Sequence, residues 1–297
     1  MPRKMFLVFF FLLPTTAFAQ PSQFPPIPDS PPQFTQVEFD SVDTSGLFNR
    51  KPVRIHGYVL EAETGGVAPA AVLNPACEGL LVGTRVKPKY ARMAWFLQQR
   101  GMTVMLVDGF NPRGYAETCS RGQLDHIARL KDALGALAYL RGRKDIAAEH
   151  ILTVTWGNTG GFQGMNKDST YLKPSGVGFA GAIMYYPACD NAERRFAPYA
   201  PILMFVGELD TWNAPHHCEA LARRQEAGSA PFDILKYPNT YHAFDHPFME
   251  PQLNPFHPKL GTVGRNTVST ADTYRRVDDF LSRLLPSLPA RKSRTVD

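Results

Sequence analysis

Apolar residues recur along this chain with two periods. Short β-type runs stand at 53–60, with Gly57 inside, and at 70–73, 103–107, 151–156, 180–186, 202–206 and 232–237. Helical spacing falls between them. Over 89–100, Met93, Phe96 and Leu97 recur at three and four residues, and Gly101 marks the end. Over 124–140, Ile127, Leu130, Leu134, Leu137 and Leu140 line one face. Further helices are predicted at 217–227 and at 270–285, the last with Val277, Phe280, Leu281 and Leu284 on one side. Strands alternating with helices predict an α/β fold, a mainly parallel twisted sheet with helices on both faces. Ligands of such sheets sit at the carboxyl ends of the strands. The unusual residues of this chain lie there.

The ends of the chain read differently. Arg3 and Lys4 precede an apolar stretch from Met5 to Leu13, too short to span a bilayer, and Ala17-Phe18-Ala19 fits a small-residue cleavage site. Residues 1–19 are therefore expected to be a signal peptide cleaved before Gln20. No other apolar run is long enough for a membrane helix, so an exported protein, periplasmic or secreted, is expected. Residues 20–46 form a proline-rich arm, with Pro25-Pro26 and Pro31-Pro32 unable to hold a helix or a central strand. Residues 47–288 are long enough for one domain with a sizeable core, and 289–297 form a basic tail. The formal charge of +5 is partly carried by leader and tail, and no basic run is interleaved with aromatics. Nucleic-acid binding is not indicated.

Two late segments carry chemistry. Asp210 follows the run at 202–206 in Gly-Glu-Leu-Asp, and His242 follows the run at 232–237 in Tyr-His-Ala-Phe-Asp. Such a carboxylate can accept from a histidine Nδ1 and fix its tautomer. Asp is also a preferred helix N-cap, but a histidine after the next strand favours the acid–base reading. A metal pair of His242 and His246 would need a helix that Pro238 and Pro247 leave little room for. No metal site or cofactor is indicated. His216 and His217 are read as solvated rings pointing apart on a helix.

These segments resemble the dienelactone hydrolase family of α/β-hydrolases, and its exported branch in particular. The resemblance rests on Asp108-Gly109-Phe110-Asn111-Pro112-Arg113-Gly114, on Gly207-Glu208-Leu209-Asp210 with Trp212 and Cys218, and on Tyr237-Pro238 followed by Tyr241-His242-Ala243-Phe244-Asp245. It implies an α/β-hydrolase fold, Asp210 as triad acid, His242 as triad base, and Ala76-Cys77-Glu78-Gly79 in place of the oxyanion loop. Asn74-Pro75 departs from the usual start of that loop. Cys77 and Gly160 are the candidate oxyanion-hole positions.

The nucleophile elbow is irregular: Thr155-Trp156-Gly157-Asn158-Thr159-Gly160-Gly161. Matching the family's W-S-N places Gly157 at the nucleophile. Matching the double glycine places Asn158 there. Plain G-x-Nu-x-G spacing places Thr159 there, with the one available hydroxyl. A β-branched residue is costly in the φ > 0 backbone of an elbow, so the registers stay open. Two functions follow: hydrolysis of a small ester or lactone through Thr159 or an activated water, or ligand binding without covalent catalysis. Arg113 and Arg121 lie near the loop after the third predicted strand, where a guanidinium could bind a substrate carboxylate or pair with Glu78 or Asp108. Trp156, Phe162 and Trp212 are either pocket walls or core, Trp212 being the second substrate-binding candidate.

Four cysteines in an exported chain are compatible with two disulfides. Cys77 and Cys119 lie in loops after successive strands, as do Cys189 and Cys218. Loops after neighbouring parallel strands lie side by side, so Cys77–Cys119 and Cys189–Cys218 are the expected pairs.

Overall fold

In the computed structural model the described residues are 32–42, 52–63, 65–157, 160–172, 178–191, 196–286 and 288. The expected leader, most of the proline-rich arm, the basic tail, and both Asn158 and Thr159 lie outside them.

Eight strands form one sheet: β1 (Thr35–Asp40), β2 (Arg54–Leu60), β3 (Ala68–Asn74), β4 (Thr103–Asp108), β5 (Ile146–Trp156), β6 (Ala182–Tyr185), β7 (Ile202–Gly207) and β8 (Phe232–Tyr237). Their order across the sheet is β1-β2-β4-β3-β5-β6-β7-β8. β1 and β2 run antiparallel, and β2 joins β4 antiparallel; the pairs from β4 to β8 are parallel. The central strands are buried on both faces, so they read as unbroken apolar runs. β2 at the margin alternates.

Among the described residues there are five α-helices: α1 (Pro88–Gln99), α2 (His126–Arg141), α3 (Gly161–Met165), α4 (Pro215–Arg223) and, after the last strand, α5 (Thr267–Leu284). α1 and α5 cover one face, placing Tyr90, Met93, Phe96, Val277, Phe280 and Leu281 against Leu106, Val154 and Phe205. α2, α3 and α4 cover the other with Leu130, Leu134, Phe162 and Leu221. Asp125 caps α2 by accepting from Ala128 N, and Asn266 caps α5 by accepting from Ser269 N.

The α/β class and seven strands match the expectation, with shifted ends. Residues 35–40, which the sequence reading placed in the arm, instead form the edge strand β1. Val37 and Phe39 alternate there against β2, in a segment too short for periodicity to stand out beside its prolines. α3 was not expected, being only five residues long. The rings of His216 and His217 do not point apart; their centroids lie 4.0 Å from each other.

The chain moves from β3 outward to β4 and then returns to β5 on the other side of β3. The loops leaving β3 and β5 therefore diverge at the carboxyl edge and open a crevice between them. Both expected disulfides brace this edge: Cys77–Cys119 at a Cα separation of 4.8 Å and Cys189–Cys218 at 5.0 Å. Two bridges fit an oxidising compartment.

α2 lies very close to the end of β1. A Cβ at Gly135 would stand 2.4 Å from the carbonyl oxygen of Asp40 and 3.0 Å from Ser41 Cα, both backbone atoms. Gly135→Ala should therefore destabilise the fold by about 1–3 kcal/mol, despite the better helix propensity of alanine. Urea denaturation reads this directly; an unchanged or raised midpoint would mean that α2 does not rest on β1.

Candidate active site

β7 ends at Gly207, and a tight turn follows in which Asp210 N donates to Gly207 O at 3.3 Å and Leu209 N to Thr240 O at 2.9 Å. The second bond ties this turn to the loop after β8. The side chain of Asp210 is buried and divided between two tasks. Its Oδ1 accepts from Trp212 N at 2.9 Å and Asn213 N at 2.8 Å. Its Oδ2 meets His242 Nδ1 at 2.8 Å. Backbone bonds fix the carboxylate, and the carboxylate fixes the imidazole. The helix-cap alternative does not apply, because the N-cap of α4 is Ala214.

His242 sits in a loop held on every side. Its carbonyl accepts from Gly264 N at 3.0 Å. Ala243 takes a left-handed φ of 57°, turning the chain sharply after the histidine. Two residues on, Asp245 accepts from Trp156 Nε1 at 2.7 Å and from the Tyr186 hydroxyl at 2.8 Å. The imidazole ring lies between Tyr186 and Trp212, with centroids 4.4 and 4.7 Å away.

A cavity of about 40 Å³ opens beside this ring. Cys77, Glu78, Lys89, Trp212 and Asn254 are among the residues that line it together with His242. The Cys77 N–H makes no hydrogen bond among the described residues, whereas Ala76 N is taken by the Tyr90 hydroxyl at 2.9 Å. Gly157 and Gly160 border a separate, smaller space with Thr155 and Met184. Gly157 directly follows β5 with φ 64°, and a Cβ built there would find only Ala76 Cβ, at 4.0 Å. Gly160, with φ 73°, opens α3; a Cβ there would stand 2.4 Å from His126 O.

Arg113 is turned away from this cavity. Its two terminal nitrogens each donate to a carboxylate oxygen of Asp132 at 2.8 Å, and one also reaches Gly109 O. The carboxylate partner is neither Glu78 nor Asp108. Asp108 is spent on its own loop, accepting from Phe110 N and Asn111 N. Trp156 is fully buried core and Phe162 nearly so, while Trp212 is a wall of the cavity.

Sequence reasoning missed the charged pair that lines the cavity together with His242. Lys89, buried in the first turn of α1, pairs with Glu78 at 2.7 Å and donates to the Tyr186 hydroxyl at 3.2 Å. No local spacing marks Lys89 as internal; its contacts with Glu78 of the β3 loop and with Tyr186 make it so. Burial alone would raise the Glu78 carboxyl, but the ammoniums of Lys89 and Lys87 outweigh it and hold it down to about 2. His246, four residues past His242, is lowered by burial and by Lys89. No group of three His, Cys, Asp or Glu residues gathers into a metal-holding cluster among the described residues.

Comparisons with known proteins agree with this architecture. Residues 169–285 match the model of the dienelactone hydrolase family. A Bradyrhizobium protein named "Probable 2-oxo-3-(5-oxofuran-2-ylidene)propanoate lactonase" is 24% identical over 207 residues, 65% of this chain and 80% of its own. Esterase 2 of Thermogutta terrifontis superposes with a TM-score of 0.57 at 15% identity, covering 88% of this chain and 98% of its own. A dienelactone hydrolase-like promiscuous phosphotriesterase from metagenomic libraries gives 0.58 at 16%, covering 85% and 99%. At these identities the solved structures show the fold that is shared.

The Glu78–Lys89 pair makes the acid limb of stability testable. Glu78 has a folded value near 2 against an ordinary 4.5. Its stabilisation is therefore present above about pH 4.5 and is lost as pH falls toward 2. Glu78→Gln strands the buried Lys89 ammonium and should cost about 3 kcal/mol at neutral pH. It should also flatten the decline of stability between pH 5 and 3. Denaturant titrations across that range check both; parallel pH slopes for the two proteins would refute the assignment.

Proposed function

We propose that this chain belongs to the dienelactone hydrolase family, whose model matches residues 169–285, and that it is an exported hydrolase of small carboxylic esters or lactones with His242 as its base. The observation that carries this reading is the buried 2.8 Å bond between Asp210 and His242 at the wall of a cavity. Asp210 occupies Nδ1, which leaves Nε2 to take a proton from the nucleophile and return it to the leaving alkoxide. The unpaired Cys77 N–H in the loop after β3 supports a role as donor to the developing oxyanion. The named activities of the lactonase and esterase relatives support an acyl substrate. The two disulfides and the leader-like N-terminus support export.

The nucleophile is the open point of chemistry. Thr159 supplies a hydroxyl. Gly157 has the left-handed backbone of an elbow and no side chain; in that register a water activated by His242 attacks the carbonyl, His242 takes its proton, and the acyl–oxygen bond breaks as the alkoxide is protonated. The same feature favours a second reading, a protein that holds an acyl ligand without turning it over.

Hydrolysis of p-nitrophenyl acetate separates these. His242→Ala should lower turnover at least 100-fold. Loss in Thr159→Ala assigns the attack to that hydroxyl; unchanged turnover in the same variant assigns it to water. Gly157→Ser should raise turnover and add a burst of released nitrophenol, because a seryl hydroxyl then stands on the elbow. Wild-type turnover no greater than that of His242→Ala would sink the hydrolase reading and favour the binding one.

A further inference from the structure

The loop between His242 and α5 builds a second wall of the cavity. Gln252–Leu253 pairs antiparallel with Thr262–Val263, and this two-stranded ribbon joins the histidine loop through a bridge between Val263 and His242. The ribbon is pinned at its tip. His257 Nε2 lies 2.7 Å from Cys119 O, and the Thr211 hydroxyl donates to Leu260 O at 2.6 Å. One anchor is a disulfide cysteine and the other is the neighbour of Asp210.

Asn254 stands directly after the first strand of this ribbon and has no solvent exposure. Its backbone N donates to Gly261 O at 2.9 Å. Its side-chain Oδ1 accepts from Phe256 N at 2.9 Å and from His257 N at 3.0 Å. Two backbone donors on one atom settle which end of the amide is oxygen. The other end, Nδ2, has two hydrogens and no partner, although it is buried. Buried donors without partners are rare, and each costs about 1–3 kcal/mol unless an acceptor meets it. Asn254 lines the cavity that His242 lines.

We propose that Asn254 Nδ2 is a substrate-binding donor that receives the carbonyl oxygen of an acyl or lactone group beside His242. The assignment rests on reading this cavity as the substrate site, and it names the recognised group: an uncharged carbonyl acceptor. The charged side chains at the wall suit this, because Lys89 and Glu78 neutralise each other. The cavity of about 40 Å³ has room for the carbonyl end of a small molecule. The ribbon supplies a fixed donor whose orientation is set before any ligand arrives.

The test compares two probes of one ring size, 2(5H)-furanone and 2,5-dihydrofuran, which differ by the carbonyl. Binding is followed by ligand-observed NMR titration. Wild type should bind the furanone more tightly. Asn254→Asp keeps the oxygen that holds the turn and removes the donor; it should weaken furanone binding about tenfold and leave dihydrofuran within twofold. If the aspartate variant does not fold, Asn254→Ser keeps a turn acceptor and withdraws the amide, with the same loss expected. His242→Ala should lose ester turnover and keep the furanone preference. Equal furanone binding by wild type and the Asn254 variant overturns the assignment, as does a wild type that does not distinguish the two rings. An Asn254-dependent preference in a protein without turnover would uphold this assignment and remove the hydrolase reading alone. His242-dependent turnover with unchanged KM and furanone binding in the variant would do the reverse.

Discussion

A single carboxylate joins the elements on which the site depends. Asp245 accepts from Trp156 at the end of β5 and from Tyr186 just after β6, at 2.7 and 2.8 Å. It belongs to the loop that carries His242, so the histidine is referenced to two central strands at once. Both donors are buried; without it the Trp156 N–H would lose its acceptor, and the Tyr186 hydroxyl would keep only the bond it accepts from Lys89. The indole of Trp156 stacks on Tyr185 and meets Tyr90 edge-on, which extends the same junction into α1. A carboxylate that is drawn into the interior has to be surrounded by donors. Here those donors are the residues that shape the carboxyl edge of the sheet.

The loops of that edge are fixed to one another rather than to solvent. The β7 turn donates to the β8 loop through Leu209 N and Thr240 O. The β8 loop accepts from the ribbon through His242 O and Gly264 N. The ribbon in turn reaches the Cys77–Cys119 disulfide through His257. Each link crosses a long sequence separation, so the edge loops form a closed frame around the cavity. A frame of this kind orients the imidazole and the Asn254 amide with little conformational entropy left to lose.

The elbow shows how one backbone requirement constrains chemistry. The chain must reverse after β5, and Gly157 adopts the left-handed conformation without cost. Gly160 repeats that conformation at the start of α3, where its missing side chain lets the turn approach α2. The glycines therefore serve the turn. The family match over residues 169–285 covers Asp210 and His242 but not Gly157 and Gly160.

The sequence by itself determined the layer architecture, because strands buried on both faces and helices buried on one impose different periods of apolar residues. It also pointed to Asp210 and His242, whose place after neighbouring strands follows from chain order, and to both disulfides, whose loops leave adjacent strands. Only the tertiary structure decided what lies opposite them. The role of β1 depends on a partner strand that its own short pattern does not announce. Arg113 is turned to Asp132 by the packing of α2, which no local spacing encodes. Lys89 and Glu78 became internal because separate segments close over them, and the turn after Asn254 occupies its Oδ1 and leaves Nδ2 without a partner among the described residues. Local patterns record which face of an element is buried. Pairings between distant side chains depend on the final distances between loops, and those exist only once the whole sheet has formed.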